Sequence, residues 1–387
     1  MKEIGTLEQL KDEGVKRYNL TPKLDRTIDY GMALEGGGAK GAYQIGVWKA
    51  LADEGIRIKG VSGTSVGALN GAMIVSEDIE MAFKIWSEVS YSKIMDVDEE
   101  AIAHFLKGNL KAREVLKRVW DKIKNGGVDI APLKRLIGEF LDEKKIRSSG
   151  KDFFLVTFCV SEMKALNLGL DDIPSGELEC FLLASAYLYG FKNEKINGKR
   201  YFDGSIVNRL PLNLLIDKGY KNIIEVHLYR RKSKSHKNLP EGVKIHDIIP
   251  RVSLGNVVQF EKSRSIENMI IGYYDGLRLL YGLEGEHYYI VPTEEEPWFE
   301  EGMKNLSSIK KVEIELMLRI PLNSTYKEFF MAMVEASAKE LNIEKYHLYT
   351  VFELHRKVKE SSSGFKERAR KGKKRDLPLY VAVCCKL

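Results

Sequence analysis

The chain has 387 residues, 44% hydrophobic and 30% charged, a balance that supports a large buried core and excludes disorder for most of its length. Its 61 basic and 55 acidic residues leave a net charge of +6, too mild to call for nucleic acid as a partner. Four cysteines, Cys159, Cys180 and the adjacent Cys384 and Cys385, make neither a disulfide framework nor a metal-type spacing, so a reduced cytoplasmic protein is expected.

Residues 1–8 are too charged for a secretory signal, and the longest apolar run, near 180–191, is too short to cross a bilayer. Residues 1–28 read as a lead-in with one helix over 6–18. Organised sequence begins with a buried strand over 29–35 that runs straight into Gly36-Gly37-Gly38-Ala39-Lys40-Gly41. Ala42, Ile45, Val47, Trp48 and Leu51 then fall at helical spacing, with Gly55 as the stop. A second short strand over 58–62 enters the turn Gly63-Thr64-Ser65-Val66-Gly67, and a helix over 66–75 leaves it. Two strand-to-helix corners therefore lie side by side at the carboxyl edge of a parallel sheet.

A serine at the tip of such a corner takes a strained backbone, tolerable when the residues two before and two after carry no side chain. Gly63 and Gly67 meet that need, and Ser65 reads as a nucleophile at the positive end of the following helix. The glycine loop fits the dinucleotide-binding spacing through Gly36, Gly38 and Gly41, yet no carboxylate ends the second strand to hold a ribose. A phosphate-binding P-loop fails as well, because Lys40 is followed by Gly41 where Ser or Thr should stand. The remaining use of bare amides at a helix start is an oxyanion hole, built from Gly37, Gly38 or their neighbours.

Two residues present themselves as the base. Asp203, in Asp203-Gly204 at the end of a strand over 199–203, can take the serine proton directly; His227 ends an apolar strand over 222–227. Taken together and in this order, the glycine loop, the Ser65 turn and Asp203-Gly204 resemble the patatin-like phospholipase family over about residues 29–228. That resemblance implies a three-layer α/β/α fold with a mainly parallel sheet. It also implies a serine lipid acyl hydrolase with a Ser65–Asp203 dyad, an oxyanion hole at Gly36–Gly38, and Lys40, Gly41, Gly63, Gly67 and Gly204 as supporting motif positions. The segment 183–191 is similar to the family's Ala-Ser-rich helix before the aspartate. The chain departs from the family at Lys40, where arginine is usual, at Tyr189, where proline is usual, and at Ser205, where Ala or Gly is usual.

Residues 76–150 read as a helical, lid-like insertion. Within it, 101–124 carries an apolar stripe opposite a basic face, which suits either a helix packed on the core or one pressed on anionic lipid. Beyond 228 come a basic loop at 230–237 and a mainly helical region to 360, with helices over 256–280, 325–341 and 343–359 and a short strand over 287–291. Ser361-Ser362-Ser363-Gly364 reads as a linker to a basic tail over 361–387.

The expected protein is a cytoplasmic phospholipase A or lysophospholipase acting on phospholipid or another acyl lipid. It needs no metal or organic cofactor and binds no nucleic acid, and peripheral contact with an anionic membrane is the further partner. Two other readings stay open: a Ser65–Asp203–His227 triad esterase, and a non-catalytic nucleotide- or lipid-binding module.

Overall fold

A computed structural model describes residues 6–96, 127–187, 190–192, 194–230, 239–293, 296–370 and 378–387. They divide into two compact units, the described parts of 4–10 with 24–279 and of 11–23 with 280–387. The basic stripe at 101–124, the run 231–237, Tyr189 and the basic residues 371–375 lie outside the described residues.

The larger unit holds a seven-stranded sheet: β1 Asp29–Leu34, β2 Arg57–Thr64, β3 Asp152–Cys159, β4 Lys164–Gly169, β5 Tyr201–Asp203, β6 Asn222–Val226 and β7 Lys244–Ile248. The order is β4-β3-β2-β1-β6-β7, with β5 also paired to β3. Strands β3, β2, β1, β6 and β7 are parallel, whereas β4 and β5 run antiparallel to β3. Helices α1 Ala42–Asp53, α2 Val66–Val75, α3 Ile79–Ser87, α4 Ala131–Phe140, α5 Leu178–Ser185, α6 Leu212–Lys218 and α7 Lys262–Tyr281 flank it, giving the three-layer α/β/α architecture. Central strands covered on both faces read as continuous apolar runs, and β1 is buried at every residue after Asp29.

This unit extends past 228, the boundary expected from the sequence, to Leu279. The reason is α7, which lies directly on α1. Gly46 and Gly272 let the two backbones touch, since a Cβ on either would overlap a carbonyl oxygen of the other helix, and Tyr43 Oη donates to Asp275 at 2.9 Å. The expected start of α7 near 256 moves to Lys262, because residues 256–260 form a bent segment instead.

Strand β3 is what brings the two candidate catalytic residues together. It pairs with β2 from Asp152 to Val156, the last pair being Thr64 with Val156, after which Ser65 turns away. The next residue of β3, Thr157, pairs with Asp203. Strand β4 already fills the opposite edge of β3, so β5 stands just beyond the end of β2, and Asp203 enters beside Ser65.

The smaller unit packs α8 Glu296–Met303, α9 Ser308–Leu318, α10 Tyr326–Glu340, α11 Val351–Arg370 and α12 Leu379–Cys384 with a two-stranded parallel sheet, β8 Tyr289–Ile290 and β9 Leu348–Tyr349. Its core gathers Phe299, Ile314, Phe329, Phe330, Met333 and Leu354. Three sequence expectations are corrected here. Helix α11 runs through the Ser-Ser-Ser-Gly stretch, where Ser362 is buried and returns its hydroxyl to the Lys359 carbonyl at 2.8 Å. Residues 348–349 form β9 rather than helix. The lead-in is two short turns, Leu7–Gln9 and Gly14–Arg17, because buried Asp12 diverts its carboxylate to the amides of Gly14 at 2.7 Å and Leu348 at 3.0 Å.

Glu335 anchors this unit in the same manner, accepting the amides of Glu286 and His287 at 2.9 Å each and of Tyr288 at 2.7 Å while buried. Replacing it by Gln turns an NH₂ group toward donors. Glu335→Gln is expected to lose about 1–3 kcal/mol in equilibrium denaturation.

Candidate active site

Ser65 caps α2 with φ 56° and ψ −126°, a left-handed backbone that a non-glycine residue adopts at a cost of about 1–3 kcal/mol. The corner closes because a Cβ on Gly63 would overlap the Gly67 carbonyl, and one on Gly67 would overlap that of Leu34. Ser65 is held from outside the turn as well. Its amide donates to Ser185 Oγ at 2.9 Å, and the Ser185 hydroxyl donates to the Val156 carbonyl at 2.7 Å. The end of α5 secures the aspartate too, since the Asp203 amide donates to the Tyr187 carbonyl at 2.9 Å. Ser185 and Tyr187 lie in the Ala-Ser-rich segment, which carried a sequence signal without naming its task.

Asp203 is 4% exposed. Burial pushes its carboxyl above the ordinary value; hydrogen bonding from the Ser65 hydroxyl, then from the amide and hydroxyl of Ser205, and the charge of Arg209 pull it back. Its Oδ1 accepts the Ser205 amide at 2.8 Å, but Oδ2 is buried without a completed hydrogen bond. The Ser65 hydroxyl thus reaches the carboxylate short of full alignment, a looseness common before substrate is bound.

The glycine loop follows β1. The Gly36 amide donates to the Arg209 carbonyl at 3.0 Å and is not available to an oxyanion, which corrects its place among the expected donors. Gly36 instead clears space, because a Cβ there would strike Ser205 Oγ and crowd Thr64. The amides of Gly37 and Gly38 meet no acceptor among the described residues, and Gly38 has φ 55°. Ala39 fixes the loop from the far side by donating to the Val257 carbonyl at 2.8 Å. Arg209 and Val257 were missed in the sequence because they act through backbone carbonyls, which leave no residue-type signature. A buried relay joins the loop to the nucleophile helix: Asn70 donates to the Gly41 carbonyl at 2.9 Å and to Gln44 at 2.7 Å, and Gln44 donates to the Glu35 carbonyl at 2.7 Å. Gly41 and Gly204 are close-packing positions, against Val66 and the Val156 carbonyl.

Lys40 is nearly buried, with Nζ 3.7 Å from the Tyr229 ring centroid. Burial lowers its pKa, opposed by the charge of Glu35, while burial raises that of Glu35 itself.

His227 is not brought to Ser65. Two strand spacings, β2 to β1 to β6, separate their strands, and the ring points away, with Nε2 3.2 Å from both Glu225 and Asp247. Burial alone would depress its pKa, but hydrogen bonds to Asp247 and Glu225 and the charge of Glu225 overcome it and raise the value to about 9. A cation at neutral pH is not a base. Glu225, His227 and Asp247 also form a cluster of metal-type donors among the described residues, with ligand atoms within 4.8 Å of one another, but a metal there would have to displace the imidazole proton that both carboxylates hold.

Beside Ser65 opens a pocket of roughly 630 Å³, counting its mouth, walled by Leu69, Trp86, Leu136, Phe140, Phe191 and Phe260. Trp86, Leu136 and Phe140 come from the expected insertion, so its described part forms a wall of the site.

Residues 32–216, which hold this sheet edge, the Ser65 corner and Asp203, match the family model described as patatin-like phospholipase. That stretch is thus similar to a patatin-like phospholipase domain. The chain is 24% identical over 219 residues to patatin-like phospholipase domain-containing protein 7 of Rattus norvegicus, covering 55% of this chain and 14% of that protein. It is 51% identical over 206 residues to neuropathy target esterase sws of Drosophila melanogaster, covering 51% and 12%. It is 56% identical over 43 residues to lysophospholipase nte1 of Aspergillus terreus, covering 11% and 3%. The chain spans a seventh or less of the length of these relatives.

Two outcomes follow from this geometry. Gly63→Ala drives a methyl into backbone and is expected to destabilise by about 1–3 kcal/mol, occasionally more, in thermal or denaturant unfolding. His227 has a folded pKa above its ordinary 6.5, so its stabilisation is complete below pH 6.5 and is lost as pH rises through about 9. Unfolding free energy measured across that window should fall with pH in the wild type and fall less in His227→Gln.

Proposed function

We propose that this chain is a serine lipid acyl hydrolase of the phospholipase A or lysophospholipase type, working through a Ser65–Asp203 dyad. The observation that carries the reading is the strained Ser65 at the floor of an apolar pocket, with its hydroxyl against a buried carboxylate that retains an unfilled oxygen. The names of the relatives, a lysophospholipase and a phospholipase domain protein among them, support an acyl lipid as substrate. Four free cysteines suit a reducing, cytoplasmic setting. Among the described residues, no helix is long and apolar enough to cross a membrane.

Asp203 removes the Ser65 proton as Oγ attacks the ester carbonyl carbon. The carbonyl oxygen becomes an oxyanion facing the Gly37 and Gly38 amides and the positive end of α2. Collapse expels the alcohol, which takes the proton from Asp203, and leaves an acyl group on Ser65. Water then gives a proton to Asp203 as it attacks the acyl carbon, and on collapse the departing Ser65 oxygen takes that proton back as the fatty acid is released. His227 has no part in this sequence.

Ser65→Ala and Asp203→Asn are each expected to lower ester turnover on the order of 10⁴-fold, and a fluorophosphonate should label Ser65 in wild type and in His227→Ala but not in Asp203→Asn. Retained turnover in Ser65→Ala would exclude the dyad. The base must be ionised, so activity is lost as pH falls through the raised Asp203 pKa, placing the acid limb above the ordinary carboxylate range. Ser205→Ala removes a hydroxyl that lowers that pKa, and its kcat profile should shift to still higher pH.

A further inference from the structure

We propose that the exposed aliphatic residues of two strips that abut the glycine loop, Ile206 and Val207 in one and Val257 and Val258 in the other, form a docking surface for a phospholipid bilayer. The inference rests on the hydrolase reading and adds how an insoluble substrate reaches Ser65. The four side chains are 64%, 44%, 37% and 40% exposed. They are not scattered. Ile206 and Val207 follow Asp203 by three and four residues, and their strip leads to Arg209, whose carbonyl accepts the Gly36 amide at 3.0 Å. Val257 accepts the Ala39 amide at 2.8 Å, and its carbonyl sits where a Cβ on Gly38 would be. Both strips therefore abut the same glycine loop.

The apolar surface also continues inward. Phe260, two residues past Val258, is buried and lines the pocket together with Gly38 and Ser65. Exposed aliphatic side chains on two strips that meet one loop of an apolar pocket, rather than spread singly, mark a surface that is covered in use.

Charge selects the occupant. Arg209 and Arg230 are exposed beside these strips, and neither is in an ion pair among the described residues. Arg209 lies 4.9 Å from the ring centroid of Tyr229, the residue before Arg230. Aliphatics flanked by guanidinium groups match the boundary between acyl chains and phosphate, where the aliphatics enter the chain region and arginine contacts phosphate oxygens. Docking there would point the pocket mouth at the acyl esters.

The test measures co-sedimentation with vesicles of phosphatidylcholine, and of phosphatidylcholine with phosphatidylglycerol, using full-length protein carrying Ser65→Ala so that the membrane stays intact. Adding Ile206→Asp and Val258→Asp should weaken binding by about tenfold or more, whereas Ile206→Trp with Val258→Trp should tighten it severalfold. In active protein the Asp pair should cut hydrolysis of vesicle lipid in parallel, and turnover of monomeric p-nitrophenyl butyrate should stay within about twofold. If the Asp pair fails to fold, Ile206→Ser with Val258→Ser takes its place, with the ester assay reporting an intact site. Unchanged vesicle binding in the Asp or Ser pair, no binding by the parent, or a dimer in sedimentation velocity that the Asp pair abolishes would each overturn the proposal. Failure of the hydrolase reading shows separately, as absent ester turnover, and leaves the vesicle result to decide the docking.

Discussion

The left-handed backbone at Ser65 is the constraint on which the rest of the site depends. Left to itself, a serine at φ 56° would relax, and the hydroxyl would leave its position above the sheet. Two sets of bonds prevent this. The first turn of α2 takes the Ser65 carbonyl through the amides of Ala68 and Leu69, at 2.9 and 3.2 Å, and Ser185 takes its amide. Because Ser185 also holds the Val156 carbonyl, the conformation of one residue is referred to β3, the same strand that seats Asp203. Ser65 and Asp203 are therefore measured from a common ladder, and an error in one would be shared by the other.

Three carboxyl groups lie buried in this part of the fold, and the structure treats each differently. Glu225 is answered by the protonated His227. Glu35 accepts the Leu228 amide and has the charges of His227 and Arg209 to offset its burial. Asp203 keeps an oxygen without a completed bond and has a serine hydroxyl within reach of its carboxylate. Unsatisfied buried oxygens are costly, so an acceptor kept in that state has a strong affinity for a proton, which is the property a general base requires. Contacts that would quench Asp203 fully would also make it inert.

Much of this was legible in the residues. The glycine loop, the Ser65 turn and Asp203-Gly204 are local: each depends on a few consecutive positions and a backbone geometry that only certain residue types permit. Their adjacency was not local. It arises because β3 changes partner from β2 to β5 between Val156 and Thr157, and pairing of that kind is absent from any short window of sequence. The apolar run of β3 itself, with Phe153, Leu155 and Val156 buried, was a readable signal of a central strand. Gly36 was misassigned for the opposite reason: its residue type fits an oxyanion donor, but a carbonyl from Arg209, far along the chain, had already taken its amide. The expected linker at 361–364 followed from composition, and α11 overrode it because tertiary packing outweighs the weak helix propensity of serine.

The two halves of the site also differ in how they are built. Chemistry is assembled on the sheet edge, from strand ends and helix starts whose positions cannot drift without breaking the ladder. The pocket is assembled from side chains of α3, α4 and the segment before α7, which approach that edge from outside the β1 to β6 framework. Substitutions in those walls alter volume and depth without touching the bonds that strain Ser65 or expose Asp203. The same segment that supplies Phe260 to the pocket supplies the Val257 carbonyl to the glycine loop, so the pocket wall and the loop geometry meet at one stretch of backbone. A ligand that displaced Phe260 would pull on the glycine loop, to which the proposed mechanism gives the developing charge. That stretch is therefore the place where the shape of an occupant of the pocket can be felt by the glycine loop.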